Sequence, residues 1–331
     1  MTRLFKALLI SQTEGNFHKE IKEISTDALP ENDVLIKVSY SSLNYKDALS
    51  ASGNKGVTRK FPHVPGIDAA GVVVKSSKEN FPEGTSVLVT GFDLGMNTWG
   101  GFGQYISVPA QWVIPLPDAL SPKEAMSLGT AGLTAGLSID KIIRAGVRPD
   151  HGEVVVSGAT GGVGSMAAAI LAKLGFDVAA VSGKNEDQFL TSVLGVKQII
   201  NREDFVEKYN SKPMSSADFA AGIDNVGGTI LSGILKSVKQ NGIVTCCGNV
   251  GSAELNTIVF PFILRGLTLA GIDSAQAPMD LRKSVWQSLS SDWKPLHLTE
   301  MIQEITLNEL VPKLDDILAG KATGRYVLKH E

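Results

Sequence analysis

Cysteine is nearly absent: the 331 residues hold two, Cys246 and Cys247, and these are adjacent. Neighbours in sequence make a poor structural disulfide and offer no C-x-x-C metal spacing, which points to a reducing, cytoplasmic compartment. An excess of one charge is also missing. Lys plus Arg number 31 against 34 Asp plus Glu, a formal net charge of −3, so there is no polycationic surface for nucleic acid and no acidic tail. The longest apolar runs, such as Ile258 to Leu264, fall far short of the ~20 residues that cross a bilayer. At the start, MTRLFKALLI is interrupted by Lys6 and is followed by no small-residue cleavage site, so it reads as a first strand. A soluble protein without nucleic-acid or membrane partners is expected.

Hydrolytic and metal signatures are missing as well. The five histidines, His18, His63, His151, His297 and His330, have no companions at metal-ligand or triad spacing, and no G-x-S-x-G elbow occurs. Glycine is in surplus: 34 residues, about 10% of the chain, against an average near 7%. Hydrophobic residues make up 43%, enough to give a core to each of about two domains at roughly 150 residues per domain. No internal repeat, low-complexity tract or charge block is visible.

The first third alternates short β-rich runs with turns: Leu4 to Ser11, Val34 to Tyr40, Ala69 to Val74, Ser86 to Thr90 and Gln104 to Val108. This pattern predicts a barrel-like or sandwich-like unit. After the Pro-rich passage VIPLPDALSP, small-residue helices begin near Ala125. Between Glu153 and Asp273 apolar strands of four to six residues alternate with glycine turns and helices, which predicts a parallel, doubly wound sheet. A helix from Pro278 to Trp293 and a closing strand in GRYVLK are expected to return to the first domain. The division is thus 1–125 with 274–331, and 126–273, in an α/β chain.

The strongest motif is VVVSGATGGVGSMAAAILAKLG. It holds Ala159, Gly161 and Gly164 in a G-x-G-x-x-G pattern whose first glycine is alanine. The pattern follows a strand and opens a helix, the context that makes it a dinucleotide fingerprint. Thr160, Gly161, Gly162 and Val163 are therefore candidates to hold a pyrophosphate at the helix start. An NAD-type site has an acid about 20 residues on, at the end of the second strand. Here VAAVSGKNED puts Ser182, Gly183 and Lys184 at that turn. A hydroxyl, a backbone N–H and an ammonium suit a 2′-phosphate better than a diol, which favours NADPH. Glu186 and Asp187 keep the NAD alternative open. Arg202 is a second phosphate candidate, with a solvated surface arginine as the alternative.

Together NYKDAL (Asn44 to Leu49), PGIDAAG (Pro65 to Gly71), GTAGLTA (Gly129 to Ala135), SGATGGVG, VSGK and PFILRG (Pro261 to Gly266) resemble the acryloyl-CoA reductases. These form a zinc-free, quinone-oxidoreductase-like branch of the medium-chain dehydrogenase/reductase superfamily, and the resemblance runs the length of the chain. It implies a β-rich GroES-like catalytic domain, a Rossmann domain that binds NADPH, and a homodimer paired through VFPFILRG and LTLAGID. Zinc enzymes of that superfamily have a cysteine, a His-Glu pair and a four-cysteine lobe where this chain has Asn44, Ile67 with Asp68, and GFDLGMNTWGG. Only one possible ligand survives of the three or four that zinc needs. By the same resemblance Tyr45 stands beside the cofactor, to bind it or to donate a proton, with binding preferred. Asn249, Ile263, Ser274 and Arg325 are implied near the cofactor too. Asp68 reads as a structural carboxylate, and Asp224 with Asn225 as turn caps. Arg59 and Lys60 are candidates for coenzyme A phosphates, or solvated loop residues.

The expected reaction is metal-free hydride transfer to the β-carbon of a short 2-enoyl thioester, above all acryloyl-CoA to propanoyl-CoA, with the enolate then protonated. Quinone or general enone reduction is the alternative within enzymes. A non-catalytic NADPH-binding protein is the alternative of another class, and turnover of any enone separates it from the other two.

Overall fold

The computed structural model describes residues 2–331. In chain order the elements are β1 (Leu4–Thr13), β2 (Asn16–Ser25), β3 (Val34–Ser42), α1 (Tyr45–Ala51), β4 (Asp68–Ser76), β5 (Ser86–Thr90), β6 (Tyr105–Val108), β7 (Ile114–Pro115) and α2 (Pro122–Arg144). Then follow β8 (Val154–Ser157), α3 (Gly162–Lys173), β9 (Val178–Ser182), β10 (Gln198–Asn201), α4 (Arg202–Asn210), β11 (Phe219–Asp224), α5 (Gly228–Ser237) and β12 (Val238–Cys246). The chain ends with α6 (Phe260–Arg265), β13 (Thr268–Gly271), α7 (Met279–Leu289), β14 (Ile302–Ile305), α8 (Leu310–Leu318) and β15 (Arg325–Lys329). Among the described residues no helix is long and apolar enough to cross a membrane.

Two compact units result, one of residues 1–130, 275–290 and 302–331, the other of residues 131–274 and 291–301. The first carries a sheet in the order β14-β15-β3-β4-β5-β7, with β6 paired to β3. The period-two geometry of β3 and β4 sends Val34, Ile36, Val38, Ala69 and Val73 into one core with Val87, Val89 and Ile106, since successive side chains of a strand face opposite sides. The β1–β2 hairpin is a departure from the sequence reading, which saw only the first strand. Its turn residues Glu14 and Gly15 both have positive φ, 52° and 86°, the geometry of a two-residue hairpin loop. The glycine was the available signal. Most of β2 is exposed or half-buried, so it lacks the apolar face that marks a strand.

The second unit is a six-stranded, wholly parallel sheet in the order β10-β9-β8-β11-β12-β13. Central strands covered on both faces must be apolar throughout, and Val154–Ser157, Val178–Ser182 and Phe219–Asp224 are buried at every position. Ser291–Met301, which the sequence pattern assigned to the first domain, belongs to this unit. Lys173 at the end of α3 holds it there, donating to the carbonyls of Ser291 (3.3 Å) and Lys294 (2.7 Å). Sequence periodicity carries no trace of such a contact.

In the first unit Arg282 on α7 is fully buried. It donates to the carbonyls of Ala277 (3.1 Å), Thr90 (2.8 Å) and Ala275 (2.7 Å). Its guanidinium lies 4.1 Å from the ring centre of Phe92, which stacks in turn on Trp112. Removing it strands buried carbonyls. Arg282→Ala is expected to lower stability by about 3 kcal/mol, and Arg282→Lys to recover part of that, measured by urea unfolding.

Candidate functional site

The second unit gathers its candidate residues at the carboxyl edge of the sheet, where parallel α/β folds bind ligands. Chain leaving β8 turns through Gly158, with φ of 59°, into α3, whose N-cap is Gly161 and which no side chain caps. A Cβ on Gly164 would overlap the carbonyl of Gly158, so only glycine lets helix and turn approach this closely. The 12-residue helix thus presents bare backbone N–H groups and its positive dipole end at the turn. Thr160 beside it is buried.

Behind the turn lies a buried network that sequence reading reduced to turn caps. Ser157 Oγ donates to Asp224 Oδ1 (2.7 Å), and Asp224 Oδ2 accepts from the Gly227 N–H (2.8 Å). Asn225 Nδ2 donates to the Ser157 carbonyl (2.7 Å). Burial pushes the Asp224 carboxyl above its usual range. The Cys247 thiol, which donates to Asn225 Oδ1 (3.1 Å), is pushed up to about 12 by burial and by Asp224. It is therefore an inert thiol and no candidate nucleophile. The loop carrying Asn249 packs on this network through the Gly251 N–H, which donates to the Val226 carbonyl (2.9 Å).

At the end of β9, Ser182 is buried and its Oγ accepts from the Lys184 N–H (3.0 Å), folding the turn back on itself. Burial lowers the Lys184 ammonium from its usual range, and Glu186 opposes that shift. Arg202 begins the next helix, and its guanidinium reaches the same turn, beside Gly183. The Ser182 turn and the Arg202 guanidinium thus meet at Gly183, and a hydroxyl with a guanidinium suits a phosphate dianion. Elsewhere in this unit Ser274 Oγ accepts from Thr134 Oγ1 (2.7 Å), and Ile263 on α6 is 68% exposed.

In the first unit Tyr45 is the first residue of α1 and is exposed. Its neighbours are locked. Asp68 Oδ1 accepts from Thr130 Oγ1 (2.5 Å), and Oδ2 accepts from Ser42 Oγ (2.5 Å), Asn44 Nδ2 (2.8 Å) and the Thr130 N–H (2.9 Å). Arg325, also buried, lies 4.0 Å from Asp68. It donates to Ser42 Oγ (2.8 Å), the Leu43 carbonyl (3.0 Å) and Asn44 Oδ1 (3.1 Å). Gly129, with φ of 53°, breaks α2 beside them, and only glycine fits there, since a Cβ would come 2.5 Å from Ser42 Oγ and 2.7 Å from Asp68 Oδ2. Asp68 is a structural carboxylate here.

Asp47 escaped the sequence reading, although the N-x-x-D spacing of NYKDAL resembles a capping box. Fully buried, it accepts from the N–H groups of Asn44 (2.8 Å), Ile67 (2.8 Å) and Gly66 (3.2 Å). Burial, and then the Asp68 carboxylate, push it up to about 7 against the pull of those N–H groups.

The strand order of the second unit and its glycine turn are those of a dinucleotide-binding Rossmann domain. Residues 30–118 match the alcohol dehydrogenase GroES-like domain, and residues 162–291 the zinc-binding dehydrogenase family. The putative quinone oxidoreductase YhfP of Bacillus subtilis is 42% identical over 99% of this chain and 100% of its own length. Its crystal structure with NAD bound superposes with a TM-score of 0.95, covering 99% of this chain and all of that one. The acrylyl-CoA reductase AcuI of Ruegeria pomeroyi is 41% identical over 98% of this chain and 99% of its own. The yhdH oxidoreductase of Salmonella enterica, solved in complex with NADP, is 40% identical with a TM-score of 0.95 over 98% of this chain and 100% of that one. The chain belongs to the medium-chain dehydrogenase/reductase superfamily, in the family that holds AcuI and YhfP, and it is an oxidoreductase.

The raised Asp47 carboxyl sets a pH dependence. Between the unfolded value near 3.9 and about 7, folded Asp47 keeps a proton that the unfolded chain has lost. The stability this proton confers is complete below that window and is lost as pH rises through about 7. Asp47→Asn has no such loss. From pH 5 to pH 8 its stability should gain on that of the native protein by on the order of 2 kcal/mol in urea unfolding, and a constant difference would refute the assignment.

Proposed function

We propose that the protein is an NADPH-dependent reductase of short 2-enoyl-CoA thioesters, converting acryloyl-CoA to propanoyl-CoA. The observation that carries this reading is the 41% identity to AcuI over nearly the whole of both chains. In it, the unit that holds residues 275–290 and 302–331 with the N-terminal strands is the substrate-side domain, and the unit of residues 131–274 and 291–301 is the NADPH domain. The bound nicotinamide supplies hydride. Everything else is positioning and charge stabilisation.

Thr160, Gly161, Gly162 and Val163 hold the pyrophosphate at the bare start of α3. Ser182, the Gly183 N–H, Lys184 and Arg202 hold the 2′-phosphate. NAD in the YhfP crystal keeps the other cofactor a live comparison, and the cationic donors at this turn are the reason to prefer NADPH here. Asn249, Ile263, Ser274 and Arg325 complete the cofactor-side assignment, with Arg325 acting through Asn44. Tyr45, exposed at the start of a helix whose cap is fixed by Asp68 and Asp47, binds cofactor or substrate through its ring. The reaction runs without zinc: in this reading Asp68 is engaged by four donors and neighboured by a guanidinium, which repels a cation. A cytoplasmic homodimer fits two unpaired thiols, the edge strand β13 and the exposed Val259, Phe260, Ile263 and Leu264 around α6.

A second reading, reduction of quinones or other enones, draws on YhfP. Reduction of acryloyl-CoA with deuterium-labelled NADPH is expected to put the label at C3, with the C2 proton from solvent. Strong quinone turnover with none of acryloyl-CoA would favour the second reading. Tyr45→Phe should keep turnover within about tenfold, since ring positioning survives; a loss of ~10²-fold or more would make the phenol a proton donor. Dialysis against a strong chelator should leave the rate unchanged, and one tightly held zinc per chain would contradict the metal-free assignment.

A further inference from the structure

The parallel pairing of β9 and β10 sets Ser182 opposite Asn201. The next residues, Gly183 and Arg202, are therefore neighbours at the ends of adjacent strands. Arg202 is the first residue of α4, and that start is fixed by Asn201, whose Oδ1 accepts from the Glu203 N–H (2.8 Å). Glu203 Oε1 holds the guanidinium from one side, at 3.3 Å from Nε and 3.1 Å from NH2. On the other side the guanidinium lies over Gly183. A Cβ there would come 2.9 Å from Arg202 Cζ, 3.0 Å from NH2 and 3.2 Å from Nε.

We propose that Gly183 is a specificity-determining residue for the 2′-phosphate, acting by leaving vacant the space in which Arg202 rests. The inference depends on the NADPH reading and deepens it. Any side chain at 183 claims the volume now filled by the guanidinium. What must then yield is the far end of a flexible, exposed arginine, while the sheet and the Ser182 turn stay in place. The Gly183 φ lies outside the left-handed region, so alanine adopts this backbone without strain. A methyl group is thus a selective tool: the three atoms nearest to it all belong to the Arg202 guanidinium.

The test is isothermal titration of NADP⁺ and NAD⁺ into the native protein, Gly183→Ala, Arg202→Ala and the double variant. Losing one charge-assisted contact corresponds to about tenfold or more in affinity. Gly183→Ala is expected to weaken NADP⁺ by about tenfold and to leave NAD⁺ within about twofold. The double variant should bind NADP⁺ no more weakly than Arg202→Ala alone, because both changes remove the same contact. Native-like NADP⁺ binding by Gly183→Ala, equal weakening of both cofactors, or full additivity in the double variant would each overturn the proposal while leaving a native preference for NADP⁺ intact. Equal binding of NADP⁺ and NAD⁺ by the native protein would instead remove the NADPH reading on which it rests.

Discussion

In the first unit the local order around the candidate catalytic tyrosine depends on one buried carboxylate. Asp68 accepts from β3, from the cap of α1 and from the restart of α2 after Gly129, while Arg325 brings in the last strand. A charge out of water is tolerated only when its lone pairs are filled and a counter-charge is near, and removing one partner of such a pair typically costs about 3–5 kcal/mol. Four segments distant in sequence are thereby held to one geometry. Tyr45 inherits its position from it.

A second carboxylate in the same place makes the arrangement tense. Asp47 and Asp68 share one arginine, and the group that yields is Asp47, pushed up to about 7. Its N–H partners fix the entry to α1 and the PGIDAAG turn together. Asn44 and Asp68 are joined to each other and to the Arg325 guanidinium, so the polar interior orders this unit.

The second unit solves a different problem. Its ligand edge is built by strand register: residues that end β8, β9, β10, β11 and β12 come level because parallel pairing aligns them. The glycine cradle, the Asp224–Asn225–Ser157 network and the meeting of Gly183 with Arg202 all follow from that alignment. Burial drives the chemistry apart at the same edge, raising the Asp224 carboxyl and the Cys247 thiol while lowering the Lys184 ammonium.

Much of this was legible in the residues themselves. Apolar runs between glycine turns marked the parallel sheet, since strands covered on both faces must be hydrophobic. The glycine fingerprint marked the tight turn between β8 and α3, since only glycine allows that approach. Serine and lysine in place of an acid set the expectation of NADPH, and a relative 40% identical to this chain is solved with NADP. Other features belong to the tertiary structure alone. The β2 strand has too little apolar periodicity to declare itself, and residues 291–301 join the second unit through a lysine that meets backbone carbonyls. Asp47 and Arg282 are charged residues whose burial no local pattern announces, and the approach of Arg202 to Gly183 exists only through the β9–β10 register. Periodicity and turn chemistry are local properties that a sequence can display. Burial of a charge and the meeting of two strand ends are decided by segments far apart in the chain, and they exist only once those segments have packed.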